Sequence, residues 1–142
     1  MGRVVTNLKI TNKTDLDNVR AGTLLEADVR SVEIEALVDT GAVMILLPQE
    51  VVESLGLPID GNVTVTLADE SRIELRRARR LSLELNGRQM DTDCLVGPPQ
   101  CEPLVGQLVL ERLDLVVDPV RRTVTPRPES PLQPSLKLKP IG

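Results

Sequence analysis

Apolar residues recur along most of this chain at every second position. In SVEIEALVD, residues 31–39, Val32, Ile34, Ala36 and Val38 alternate with Glu33 and Glu35, and the last positions turn apolar on both faces, as a strand does when it runs from a sheet surface into a core. NVTVTLAD, 62–69, sets Val63, Val65 and Leu67 against Thr64 and Thr66. RIELRR, 72–77, keeps the rhythm with Ile73 and Leu75, and RLSLELNG, 80–87, repeats it with Leu81, Leu83 and Leu85. The second run ends in Asn86-Gly87, a pair that accepts the positive φ of a two-residue hairpin turn, and RQMDTDCLVG, 88–97, continues as the returning strand. Strands that follow one another through short connections predict an antiparallel sheet or barrel, not crossover helices on a parallel sheet.

Two segments break the rhythm. PQEVVESLGLP, 48–58, has Pro48 at a first turn, acidic residues early, Val51, Val52 and Leu55 on one face, and Gly56 with Pro58 to stop it, which predicts a short helix. GQLVLERLD, 106–114, groups Val109, Leu110 and Leu113 and predicts another. LVVDPVRRTV, 115–124, reads as a strand, a tight turn at Asp118-Pro119 and a last strand. From Pro126 onward prolines recur, so PRPESPLQPSLKLKPIG is expected to form an extended tail, with SLKLK able to dock as an edge strand. A length of 142 residues fits one folded domain, expected over 1–125, followed by the tail at 126–142.

Composition narrows the chemistry. Phe, Trp and Tyr total 0, and so does His, so Leu, Val and Ile must build the core; aromatic platforms for single-stranded nucleic acid are missing, as is any imidazole base or ligand. A formal net charge of -4 argues against a surface that tracks phosphates, and Arg76, Arg77, Arg79 and Arg80 read as a solvated strand face. No stretch approaches the length that spans a bilayer, so a soluble, cytoplasmic chain with no nucleic-acid or membrane partner is expected. Cys94 and Cys101 flank the turn-like LVGPPQ and would approach each other if that loop doubles back, although a reduced pair is the favoured reading; without His they make no zinc site, and no metal or other cofactor is expected. Asp91 and Asp93 share a strand face and read as surface charge.

Asp39 is the residue that needs an explanation. An ionisable group at the inner end of an apolar strand costs free energy unless it is paired, hydrogen-bonded or used chemically. It is followed at once by Thr40, Gly41 and Ala42, then by the apolar VMILLP, 43–48. Peptide hydrolysis by carboxylates needs two of them, close enough that they cannot both ionise, one acting on a water and the other donating to the carbonyl oxygen. This sequence holds one Asp-Thr-Gly. A second copy must come from a second molecule, most economically across a two-fold axis beside Asp39.

The Asp-Thr-Gly-Ala tetrad after apolar residues, together with CLVGP at 94–98 and PLVGQLVLERLDLVVD at 103–118, resembles the retropepsin-like aspartic proteases, in particular their small single-domain bacterial members. The resemblance spans roughly Val32 to Val124. It implies an all-β, retropepsin-like closed barrel with one or two short helices, acting as a homodimer on an extended peptide or protein substrate. Asp39 is then the catalytic acid and base, Thr40 and Gly41 brace the dyad, and Gly41, Ala42, Val43 and Met44 line the substrate. The turn at 67–73 takes the place of the flap, with Ala68, Asp69, Glu70 and Ser71 closing over the substrate where retroviral relatives carry glycines. Val43 and Met44 replace polar residues of those relatives and imply a more apolar cleft; Gln107-Leu108 likewise departs from their polar pair. A module on the same fold that binds peptides or dimerises without cutting is the alternative.

Overall fold

A computed structural model describes residues 3–132 and 134 of the chain. Among these residues nine strands and three short α-helices follow one another: β1 Val5–Asn12, α1 Lys13–Arg20, β2 Ser31–Val38, β3 Ile45–Pro48, α2 Gln49–Leu55, β4 Ile59–Thr66, β5 Arg72–Leu85, β6 Arg88–Gly97, β7 Leu104–Val105, α3 Gln107–Leu113, β8 Leu115–Asp118 and β9 Thr123–Pro126. The molecule is mostly β, as the alternating pattern predicts. The expectation of one or two helices is corrected to three, with an additional 3₁₀ turn at Glu26–Asp28.

Helices α2 and α3 stand where their apolar faces placed them, with Val52 and Leu55 buried on one and Val109, Leu110 and Leu113 on the other. Gly56 ends α2 at φ 62, with its N–H on the carbonyls of Glu53 and Val52. α1 carries no apolar stripe, because the residue it buries is Asp15. Asn12 caps it by accepting from the Asp15 amide at 2.9 Å, while Asn12 Nδ2 donates to the Leu55 carbonyl at 2.8 Å. Asp15 in turn accepts from Arg30 Nε at 2.9 Å, Arg30 Nη2 at 3.0 Å and the Arg30 amide at 3.0 Å, which ties α1 to the start of β2.

Seven strands form one sheet in the order β1-β2-β7-β3-β6-β5-β4, and β1 also pairs with β5. β1 therefore has a partner on each edge: Leu8 faces Ile34 on one side and Leu85 on the other. The runs at 72–77 and 80–87, expected as separate strands, are the single strand β5. A register shift between Ala78 and Leu81 marks a bulge, with Arg80 at φ 64, and the extra residue bends the strand so that its first half pairs with β4 and its second with β1. Asn86 and Gly87 turn β5 into β6 with φ 52 and 80, as the sequence requires. The sheet is not wholly antiparallel: β2 runs parallel to β7, and β3 parallel to β6.

Leu8, Ile10, Ile45, Leu47, Leu81, Leu83, Leu85, Val105 and Leu110 belong to one buried cluster that forms the core without a single aromatic ring. Cys94 lies among them as a free thiol, and burial pushes it up to about 12, well away from a nucleophile's range. The proline-rich stretch expected to run out as a tail folds back at its start. Pro126 completes β9, Arg127 Nε meets Asp114 Oδ1 at 2.5 Å, and Ser130 Oγ donates to Asp114 Oδ2 at 2.5 Å. Arg88, buried in β6, donates to the carbonyls of Leu113 and Asp114 at 2.9 Å each and to that of Ser130, so residues 127–130 are strapped to the end of α3. The SLKLK segment lies outside the described residues.

Candidate active site

The apolar strand β2 delivers Asp39 to the place where two chain segments meet. Leu37 donates to the Pro103 carbonyl at 2.8 Å and Asp39 to the Val105 carbonyl at 2.9 Å, so β7 runs alongside the carboxylate-bearing turn. The turn closes on itself: the Ala42 amide reaches the Asp39 carbonyl at 3.0 Å, and the Gly41 amide donates to Asp39 Oδ1 at 3.0 Å. Asp39 is half-buried, whereas Thr40 and Gly41 are exposed.

α3 then locks the turn from behind. Gln107 donates its amide to the Ala42 carbonyl at 2.7 Å, and Leu108 to the Val43 carbonyl at 3.3 Å. The first N–H groups of a helix have no partner inside it, so they are free to hold a neighbouring loop. Gly106 makes the approach possible, because a Cβ there would stand 2.5 Å from the Val43 carbonyl carbon and 2.8 Å from the Ala42 oxygen. The tetrad and the Gly106 motif, separated by more than sixty residues of sequence, are thus one structural unit. Residue identity pointed to Gly106 but not to the amides of Gln107 and Leu108, since a main-chain donor leaves no mark on residue type.

Val43 is exposed and Met44 half-buried beside Ile45, the first buried residue of β3. Ala68, Asp69, Glu70 and Ser71 form the exposed tip of the β4–β5 hairpin. Their hydrogen bonds are internal: Leu67 to the Ser71 carbonyl at 2.8 Å, Glu70 to the Leu67 carbonyl at 2.9 Å, and both the amide and the hydroxyl of Ser71 to Asp69 Oδ1. Those Ser71 donors hold the Asp69 carboxyl below the ordinary carboxylate range. Glu70 takes φ 66, so the tip is fixed by side chain and backbone where glycine would leave it loose. Within one chain the hairpin tip and the Asp39 turn share no hydrogen bond among the described residues.

Several of the remaining charged groups form surface ion pairs. Arg79 meets Asp60 at 2.6 Å, Arg80 meets Asp17 at 2.6 Å, and Lys13 reaches Asp91 at 3.6 Å. Asp39 lines neither the concavity of about 620 Å³ beside β1 and β2 nor that of about 480 Å³ between Lys13, Arg80 and Asp93. Its setting is an open turn. Among the described residues no group of three or more His, Cys, Asp or Glu could hold a metal ion, and no helix is long and apolar enough to cross a membrane.

Residues 25–112, more than half of the chain, match a family model described as gag-polyprotein putative aspartyl protease. No curated protein matches the chain.

Proposed function

The chain belongs to the gag-polyprotein aspartyl protease family, and on that premise we propose that it is an aspartic endopeptidase whose active centre is a homodimer. The observation that carries this reading is the locked unit of Asp39, Gly106 and the first turn of α3. It holds one carboxylate at the rim of a rigid, exposed turn, as half of a dyad must be held. The partner's Asp39 supplies the other half.

Two carboxylates about 4 Å apart repel by roughly 4 kcal/mol at an effective dielectric constant near 20, so such a pair holds a single proton between its members. The ionised member draws a proton from a water held between them while the protonated member donates to the peptide carbonyl oxygen; the water oxygen bonds to the carbonyl carbon. Collapse of the tetrahedral species then breaks the C–N bond, with a carboxyl proton passing to the leaving amine. No covalent enzyme intermediate and no metal is required.

Thr40, exposed next to Asp39, braces the two turns by hydrogen-bonding across the axis. Gly41, Ala42, Val43 and Met44 line the substrate main chain, and residues 68–71 close over it. The circuit of pairings through β1, β2, β7, β3, β6, β5 and back to β1 supports reading the sheet as a closed barrel.

The deciding experiment incubates the purified chain with a library of extended peptides, beside Asp39→Asn. Cleavage by the native chain and its loss in the variant support the protease. The self-locked, doubly acidic tip at Asp69 and Glu70 favours a second reading, a module that holds extended peptides without cutting them. Equal binding by both proteins with no product would establish that one.

A further inference from the structure

We propose that Arg88 is a positioning residue for the active centre: its guanidinium fixes the carboxyl end of α3, and α3 carries that position through its first amides to the turn that bears Asp39. The catalytic part rests on the protease reading above; the coupling of Arg88 to the turn stands on the packing alone. Arg88 is 6% exposed, and Leu85 faces it across the Asn86-Gly87 turn, so the base of its side chain is set by a tight corner of the sheet. Among the described residues its hydrogen bonds all end on main-chain carbonyls: Nη1 donates to those of Leu113 and Asp114 at 2.9 Å each, and Nη2 to that of Ser130.

The last carbonyls of a helix have no partner inside it, and α3 ends at Leu113 with Asp114 turned to φ 56. A cation set there offsets the negative end of the helix dipole. The rigid fork of a guanidinium holds these three oxygens in fixed directions, as an ammonium on a flexible stem would not. All three acceptors lie past residue 112, beyond the stretch that matches the family model. A buried arginine therefore joins the matched stretch to the segment that follows it.

At its other end α3 has no slack. The Gln107 amide meets the Ala42 carbonyl at 2.7 Å, and Gly106 lies so close to Val43 that a Cβ would stand 2.5 Å from main-chain carbon. At about 1.5 Å per residue, the seven residues of α3 make a strut of roughly 10 Å between the clamp and the turn. Val109, Leu110 and Leu113 bury its inner face, but apolar contact is non-directional and resists separation more than a small slide along the axis. The directional bonds at the two ends fix that slide. A shift of about 1 Å at the turn would misplace a carboxylate whose work depends on alignment.

Amide hydrogen exchange of Arg88→Lys, read beside peptide cleavage, tests the assignment. Lysine keeps the charge and loses the fork. The Gln107 and Leu108 amides are expected to exchange about 10-fold faster than in the native chain, while those of Asn12 and Gly56, bonded to the Arg30 and Glu53 carbonyls elsewhere in the fold, keep their native rates. kcat is expected to fall about 10–100-fold with KM unchanged. A rise shared equally by all four amides, or a selective rise with native kcat, overturns the proposal. If neither Arg88→Lys nor Arg88→Gln folds, exchange in the native chain decides. The amides of Gln107, Leu108 and Arg127, the last bonded to the Asp114 carbonyl, must then open together, and separate openings overturn the coupling. A native chain that cuts no peptide, with the selective exchange intact, removes the protease reading and leaves the coupling standing.

Discussion

Asp39 was legible because its neighbours made it costly: an acid at the end of Ala36, Leu37 and Val38 has to be there for a reason. Replacing it with Asn removes the proton donor and acceptor together. We expect cleavage to fall by about 10²–10⁴-fold. The dimer should tighten, because one source of like-charge repulsion at the axis has gone, and titrating self-association beside activity checks both. Gly106 matters through space alone. With a Cβ set 2.5 Å from main-chain carbon, Gly106→Ala must push the tetrad turn away from α3. A loss of about 1–3 kcal/mol in chemical denaturation is expected, with a larger proportional loss of kcat than of KM affinity. Such a clash can be seen only once the two segments are placed together.

At the scale of elements, what the sequence hid was hidden for physical reasons. α1 buries an aspartate, so no apolar period announces it, and β1 buries Thr11 and Asn12 beside Leu8 and Ile10 because both its edges are paired. The two-residue β7 is too short to show any rhythm, although it holds Asp39 in place. By contrast α2, α3, β6 and the Asn86-Gly87 turn were all readable from local pattern. The hidden element makes a prediction of its own. The Arg30 side chain, and then its amide, hold Asp15 below the ordinary 3.8 of a free aspartate. A depressed carboxylate stabilises the fold above its unfolded pKa, and that contribution disappears as pH falls through the lower folded value. Asp15→Asn should therefore cost about 1.5–3 kcal/mol at neutral pH. The difference from the native chain should shrink as melting is followed below about pH 4.

For the molecule as a whole, the strap at its far end extends the packed part beyond the strand pattern. Ending the chain after Pro126 deletes Arg127 and Ser130, two partners of the buried Asp114, and the carbonyl that Arg88 reaches. We expect a loss of about 3–5 kcal/mol in thermal or denaturant unfolding, whereas ending it after Pro134 leaves these contacts whole. The assembled dimer makes the remaining prediction. With one proton shared by two carboxyls, peptide cleavage should fall at both the acid and the alkaline extreme, and Asp15→Asn should leave that profile unchanged. The overall topology could not be read from the sequence, because alternation fixes which face of a strand is buried but not which strand lies beside it.

The double pairing of β1 also sets an order of events. β1 is made before both of its partners, yet its second edge is covered only by residues 81–85, and until they leave the ribosome that edge is open to any passing strand. Folding must wait for a contact more than seventy residues away, a slow search for a chain this size. Nascent chains halted before residue 81 should be captured by chaperones far more than those halted after residue 97, where β6 ends.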